Sequence, residues 1–223
     1  MSAALKSWLL CAVAVVAAGC GSTPPIPDWQ LNAKASSERF TAAYLEGNSR
    51  VEALEFSRLL REVSATGRVE SIARAELQRC ATRVASLVLE PCAGFERLRQ
   101  DAPAAERAYA DYLAGRLQTQ DAALLPAQQR GVATGNGELV GLKSMADPLS
   151  QLVAAGVLFQ SGRASPAVVA LAVDTASSQG WRRPLLAWLG VQAALAQKAG
   201  DTEGAERIQR RIMLVAPPAS AKP

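Results

Sequence analysis

The sequence predicts an all-α protein built from antiparallel helical hairpins, and three observations support this. From residue 33 onward, apolar residues recur at three- and four-residue spacing, the period of one helix face. Val, Ile and Thr never dominate a segment with the period of two that a strand requires. Gly and Pro stand between the apolar stripes, where helices begin and end. These patterns leave open whether the hairpins form a regular repeat array or an irregular α-bundle.

Residues 1–19 have the layout of a secretory signal peptide. Lys6 lies in a basic start, an apolar stretch covers residues 8–18, and Ala17, Ala18 and Gly19 precede Cys20. The apolar stretch is shorter than the roughly 20 residues that a helix needs to cross a bilayer. We therefore expect cleavage of this segment rather than a permanent membrane span.

The residues around the cleavage site resemble the lipobox of bacterial lipoproteins. In that family, small residues precede a cysteine that takes diacylglycerol on its sulfur and becomes the new N-terminus. The resemblance implies lipidation of Cys20, although Ala17 stands where the family usually has Leu. The alternative is ordinary secretion with Cys20 as a spare thiol, but residues 20–32 are rich in Pro and Gly, as a membrane tether should be.

The residue after Cys20 bears on localisation. In Gram-negative lipoproteins, an Asp at this position favours retention in the inner membrane, whereas this chain has Gly21. The resemblance therefore implies an outer-membrane lipoprotein, anchored by its N-terminal lipid and facing the periplasm.

Composition excludes several classes of function. The chain contains no histidine, which removes Ser-His-Asp and Cys-His catalysis, histidine metal sites and the commonest general base at neutral pH. P-loop, GxSxG and EF-hand patterns are absent. Gly135-Asn136-Gly137 lies in a predicted loop without a preceding strand, which argues against a dinucleotide-binding loop. The net charge of +4 is too small to require a nucleic-acid partner. We expect no cofactor and no metal.

The first half of the domain covers residues 33–130. A helix is expected over residues 33–46 and ends at Gly47. Ser49 and Glu52 have the spacing of a capping box and start a second helix that ends near Gly67. A third helix carries a long apolar stripe, and a fourth begins near Pro103. The stripe of the third helix consists of Val69, Ile72, Ala73, Leu77, Cys80, Val84, Leu87 and Val88.

Two cysteines remain once Cys11 is removed with the signal and Cys20 carries the lipid. Cys80 and Cys92 are close in sequence, and an even pair in an oxidising compartment indicates a disulfide. Two buried, reduced thiols are the alternative. A bridge would pin the end of the third helix to the segment that follows Pro91.

Residues 131–147 are expected to form a flexible connector, because four glycines occur within them: Gly131, Gly135, Gly137 and Gly141. Asp147 followed by Pro148 is the pattern of a helix start. The second half therefore begins at residue 148 and extends to residue 217, and residues 218–223 are expected to be a disordered tail.

The second half contains an internal sequence repeat with an offset of 38 residues. Ala155, Gly162 and Ala167 correspond to Ala193, Gly200 and Ala205. This spacing resembles the tetratricopeptide repeat, and Pro217 falls where that repeat has its closing proline. Leu158 and Ala196 stand where the family has an aromatic residue. The resemblance implies stacked helical hairpins whose small residues permit close crossing, so Ala167 and Ala205 should be equivalent.

Three groups of residues are candidates for function. Glu70 followed by Ser71 resembles the catalytic dipeptide of lytic transglycosylases, whose downstream Gly-Leu-Met-Gln motif is missing here; a helix-start carboxylate is the simpler interpretation. Arg207, Arg210 and Arg211 on the last helix could meet phosphate or carboxylate groups, or could form a solvated face. Trp181 and Trp188 could line a ligand groove, although packing between hairpins explains them adequately.

The sequence thus favours a lipoprotein whose helical domain binds a protein or another cell-envelope component in a scaffold or assembly role, not an enzyme. The alternative is an enzyme that cleaves peptidoglycan with Glu70 as its acid.

Overall fold

The computed structural model describes residues 25–135 and 138–216. The described residues are helical and contain no strand, which confirms the predicted all-α fold. Cys20, Asn136, Gly137 and Pro217 lie outside the described residues.

Eleven α-helices and one 3₁₀ helix are described. They are α1 (Asp28–Glu46), α2 (Ser49–Ser64), α3 (Val69–Ala85), α4 (Ala93–Glu96), α5 (Ala104–Leu113), the 3₁₀ helix (Thr119–Leu124), α6 (Ala127–Ala133), α7 (Glu138–Lys143), α8 (Pro148–Gln160), α9 (Pro166–Ser178), α10 (Arg182–Lys198) and α11 (Thr202–Val215).

Helices α1 and α2 form an antiparallel hairpin, and α1 starts five residues earlier than expected. Gly47 ends α1 with φ 94°, a left-handed conformation that glycine adopts without strain. The expected capping box is wrong: the Asn48 side chain accepts a hydrogen bond from the Val51 amide at 3.2 Å, and Ser49 lies inside α2. Asn48 caps the helix because it is the residue that follows the left-handed glycine, and asparagine is as good a cap as serine.

Helix α3 packs against α1, α2, α5 and α8 and is the central element of the fold. It ends at Ala85, earlier than the apolar stripe suggested, because Leu87 adopts a left-handed conformation with φ 57°. Cys80 and Cys92 are joined with their Cα atoms 5.8 Å apart, which confirms the predicted disulfide. The bridge holds the short helix α4 against α3.

The second half is a succession of helices, α8 to α11, in which each packs against the next. Asp147 caps α8 as expected, with its carboxylate 2.8 Å from the Ser150 amide. Ala155, Ala193 and Ala205 are buried, but Ala167 is exposed, so the expected equivalence of Ala167 and Ala205 is wrong. The reason is the length of the two turns.

Helix α9 begins four residues after Gly162, whereas α11 begins two residues after Gly200. This difference moves the buried position of α9 from Ala167 to Val169. The two hairpins therefore share their turn glycines but differ in register after the turn.

The two halves share one core, which runs from Ala73 in α3 to Leu189 in α10. The indole N–H of Trp188 donates to the Ala85 carbonyl at 3.0 Å and joins α10 to α3. Residues 131–147 differ from the flexible connector that was expected, because they include the end of α6 and all of α7. Val132 and Leu142 in this stretch are buried in the shared core, and their burial outweighs the local bias of the glycines.

Helix α8 crosses α3 closely at Gly156. A Cβ atom built on Gly156 would lie inside contact distance of the Val84 carbonyl oxygen and 2.9 Å from Val84 Cγ1. Only glycine permits this approach, which sets the separation of α3 and α8.

Candidate functional site

A groove with a volume of about 530 Å³ opens where the two halves meet. Its walls come from α3, α5, the segment around Pro126 and the first turns of α8. Four elements that are distant in sequence thus meet at one concave surface of a size typical for ligand sites.

The floor of the groove is apolar. Leu77 and Ala81 come from the buried stripe of α3, Val153 comes from α8, and Leu125 follows the 3₁₀ helix. All four are buried, whereas Leu124 at the rim is 41% exposed. A ligand that covers this surface would therefore remove apolar area from water.

One ion pair lies in the wall of the groove. The Arg74 Nε atom is 2.8 Å from Glu106 Oε1, and the Glu106 side chain is only 7% exposed. Arg74 also pairs with Glu70 outside the groove. The buried carboxylate of Glu106 is compensated by the guanidinium, so this part of the wall is already electrostatically satisfied.

Two further charges in the groove have no such partner. Arg130 donates from Nε to the Leu125 carbonyl at 2.8 Å, and Asp147 accepts from the Ser150 amide at 2.8 Å. Within the described residues, neither side chain forms an ion pair, with the other or with any third residue. Both residues are exposed, so the groove presents to solvent one guanidinium and one carboxylate, each held by a hydrogen bond to the backbone.

Tyr109 also lines the groove, and its hydroxyl has no hydrogen-bond partner among the described residues. Burial raises the pKa of this hydroxyl, and the nearby negative charge of Asp147 raises the same pKa further. Tyr109 therefore stays neutral at physiological pH and can donate to or accept from a bound group.

A buried hydrogen-bond network stands behind the groove wall. Tyr112 donates to Gln129 Oε1 at 2.7 Å, and Gln129 Nε2 donates to the Ser150 carbonyl at 3.1 Å. Gln129 is 2% exposed and ties α5, α6 and α8 together. The network therefore holds α6, which carries Arg130, against α5 and α8.

The structure does not give Glu70 the surroundings of a catalytic acid. Glu70 lies in the first turn of α3, its side chain is 48% exposed, and it pairs with Arg74. A general acid that works at neutral pH is usually buried or lies beside a like charge, and Glu70 instead faces solvent beside a cation.

The three arginines of α11 do not converge on one site. Arg207 pairs with Glu203 at 2.9 Å, and Arg210 lies 3.8 Å from Glu206. Arg211 donates to the Ser177 hydroxyl at 3.1 Å. None of the three lines the groove. Their role in binding stays a prediction.

Of the two tryptophans considered as groove residues, Trp188 is fully buried and Trp181 is partly buried. Trp188 packs edge-on against Phe159, with ring centroids 5.9 Å apart. Both tryptophans belong to the packing between helices and lie outside the groove.

In the sequence, the groove residues had other interpretations or none. The sequence predicts a helix-cap role for Asp147 and offers no role for Glu106, Gln129 or Arg130. No local signal could have found them, because residues between 74 and 153 form the groove only after the halves pack.

Within the described ranges, no cluster of three or more potential ligands could hold a metal ion. No helix in those ranges is long and apolar enough to cross a membrane.

Comparison of the chain with models of protein families, with characterised proteins and with solved structures finds no match.

Proposed function

We propose that this chain is an outer-membrane lipoprotein whose helical domain faces the periplasm and binds a protein or another cell-envelope component. The single observation that carries the binding role is the groove, in which Arg130 and Asp147 stand unpaired over an apolar floor. Charged side chains held without a partner beside buried apolar surface are the usual composition of a recognition site.

The lipid anchor rests on the sequence. Ala17, Ala18 and Gly19 before Cys20 support cleavage and lipidation, and Gly21 supports transport to the outer membrane. The disulfide between Cys80 and Cys92 agrees with an oxidising compartment.

The anchor is tested by labelling cells with radioactive palmitate. The parent chain should incorporate label and migrate as the shorter, cleaved form, and Cys20→Ser should do neither. Label that persists in Cys20→Ser would remove the lipoprotein assignment while leaving the groove untouched.

The binding role is tested by photo-crosslinking in cells. A benzoylphenylalanine placed at Leu124, on the groove rim, should form a covalent adduct with a partner. The same group at Leu54, which is 49% exposed on α2 and outside the groove, is the control and should form none. The absence of an adduct specific to Leu124 would contradict a binding role for the groove.

A groove-filling variant sharpens this test. Ala105 is exposed on α5 and lines the groove, so Ala105→Trp should occupy the groove without disturbing the core. Ala42 is exposed on α1 outside the groove, and Ala42→Trp is its matched control. We expect Ala105→Trp to abolish the Leu124 adduct and Ala42→Trp to preserve it.

The enzymatic alternative has a direct assay. If the parent protein cleaves purified peptidoglycan and Glu70→Gln does not, a glycan-cleaving function replaces the binding role. We expect no cleavage by either chain.

A further inference from the structure

We propose that the groove binds a segment of polypeptide that inserts one large apolar side chain and places an acidic side chain next to it. This inference rests on the proposed binding function and names the class of ligand. Neighbouring basic or N–H groups of the same segment would meet Asp147. The groove dimensions, its two unpaired charges and the Tyr109 hydroxyl lead to this ligand.

The dimensions suit a short stretch of chain. Arg74 and Ala81 mark the length of the α3 wall, and at about 1.5 Å per helical residue they lie roughly 10 Å apart. An extended peptide rises about 3.3 Å per residue, so about three residues fit along the wall. Only one or two of their side chains can reach the floor at Leu77 and Val153, because alternate side chains point away.

Arg130 selects an acidic neighbour. Its Nε atom is occupied by the Leu125 carbonyl, which fixes the plane of the guanidinium. The two Nη groups form no hydrogen bond or ion pair within the described part of the chain and are free to donate to a planar carboxylate, the partner that arginine prefers.

Asp147 argues for a polypeptide rather than a lipid. A fatty acid or an anionic phospholipid supplies an apolar body and negative charge, and its head group would share the groove with the Asp147 carboxylate. A peptide supplies both charges and also backbone N–H groups, which a carboxylate and the neutral Tyr109 hydroxyl can accept. The opposite charges of Arg130 and Asp147 thus complement a chain segment better than a lipid head.

The test selects peptides from a phage-displayed random library on the full chain. We expect enrichment of peptides with Leu, Ile, Met or Phe adjacent to Asp or Glu. Synthetic copies should bind the parent and Ala42→Trp equally, as measured by fluorescence anisotropy. Ala105→Trp should bind them at least about tenfold more weakly, the loss typical of a blocked anchor pocket.

A charge reversal tests the role of Arg130 directly. Selection on Arg130→Glu should replace the acidic neighbour with Lys or Arg while the apolar residue is kept. Arg130 is exposed, so we expect its replacement to leave the core intact. Circular dichroism shows whether the variant is folded. An unchanged acidic preference on Arg130→Glu would overturn the assignment.

The remaining outcomes separate this inference from the proposed function. Failure to enrich any peptide, or equal binding by Ala105→Trp, overturns the polypeptide ligand. Binding of the fluorescent fatty acid cis-parinaric acid that Ala105→Trp blocks would assign the groove to a lipid. If a Leu124 adduct still forms in cells, the binding function survives either result; without the adduct, both fall.

Discussion

Gly156 sets the distance between α3 and α8, and replacing it with alanine should destabilise the protein. Gly156 lies inside α8, where alanine is normally the better residue. A Cβ atom at this position would fall inside contact distance of the Val84 carbonyl oxygen, 2.9 Å from Val84 Cγ1 and 3.0 Å from the carbonyl carbon. Ordinary contacts begin at 3.4 Å, so α3 and α8 must separate.

Two opposing terms give the magnitude. Overpacking a core costs about 1 to 3 kcal/mol, and the upper end applies because the nearest obstructing atom belongs to the backbone of α3. Helix propensity returns about 1 kcal/mol when glycine becomes alanine. The unfolding free energy should therefore fall by about 2 kcal/mol, which for a domain of this size lowers Tm by about 4 to 8 °C.

Gly190 provides the matched control. It also lies inside a helix, α10, but it is exposed, and a Cβ atom at this position would meet no other atom within 4 Å. Gly190→Ala should therefore gain about 0.5 to 1 kcal/mol from propensity alone. The two substitutions are chemically identical, so the opposite signs isolate the helix crossing.

Urea unfolding followed by circular dichroism measures both variants. The midpoint should move to lower urea for Gly156→Ala and to higher urea for Gly190→Ala, with little change in slope. If Gly156→Ala is as stable as the parent, the close approach of α3 and α8 does not exist. The floor of the groove, to which both helices contribute, would then also have a different shape.

Three further predictions concern the core, one buried carboxylate and the disulfide. Ala205→Leu should cost about 1 to 3 kcal/mol by overpacking α11 against α10, whereas exposed Ala167→Leu should change stability by less than about 0.5 kcal/mol in urea melts; equal losses would restore the register predicted from the repeat. Burial tends to raise the pKa of Glu55, but hydrogen bonds from two arginines lower it below 4.5 overall. Ionised Glu55 therefore stabilises the protein at neutral pH, and this stabilisation is lost as the pH falls below 4.5 and through the lowered pKa. Glu55→Gln should cost about 1 to 2 kcal/mol at pH 7 and a smaller amount at pH 3. A stability difference between parent and variant that does not change with pH would contradict this role of Glu55. Reducing the bridge between Cys80 and Cys92 should lower the unfolding free energy by about 3 kcal/mol, and alkylation of native protein should label neither sulfur without reductant.

Sequence patterning identified most of the helices because helix formation and burial of one face are encoded locally. The predicted starts at Asp147 and near Pro103 and the end at Gly47 agree with the structure, since caps and left-handed glycines act within one turn. The spacing of apolar residues could not predict which charged side chains are buried in ion pairs. Glu52 and Glu55 are buried in α2, and each is compensated by arginines: Arg79 lies 2.8 Å from Glu52, and Arg39 lies 2.9 Å from Glu55.

The register of the second half shows a different limit of local reasoning. The internal repeat of 38 residues located both turn glycines, Gly162 and Gly200. It could not show that one turn is two residues longer, because that length depends on how α9 packs against α8 and α10. A shift of two residues turns a helix by about 200° and moves Ala167 out of the core.

The sequence by itself predicted the helical fold and favoured the pairing of Cys80 with Cys92, because both depend on spacing along the chain, and its resemblance to the lipobox implied a lipid site at Cys20. Only the tertiary structure decided where a ligand could bind. Arg74 has a carboxylate partner in Glu106, 32 residues away, which no local pattern indicates, while Arg130 has no carboxylate partner among the described residues. Whether a charged side chain has an ion partner or is free to bind a ligand depends on which distant side chains the packed core brings beside it. The spacing of apolar residues along the chain does not predict these partners.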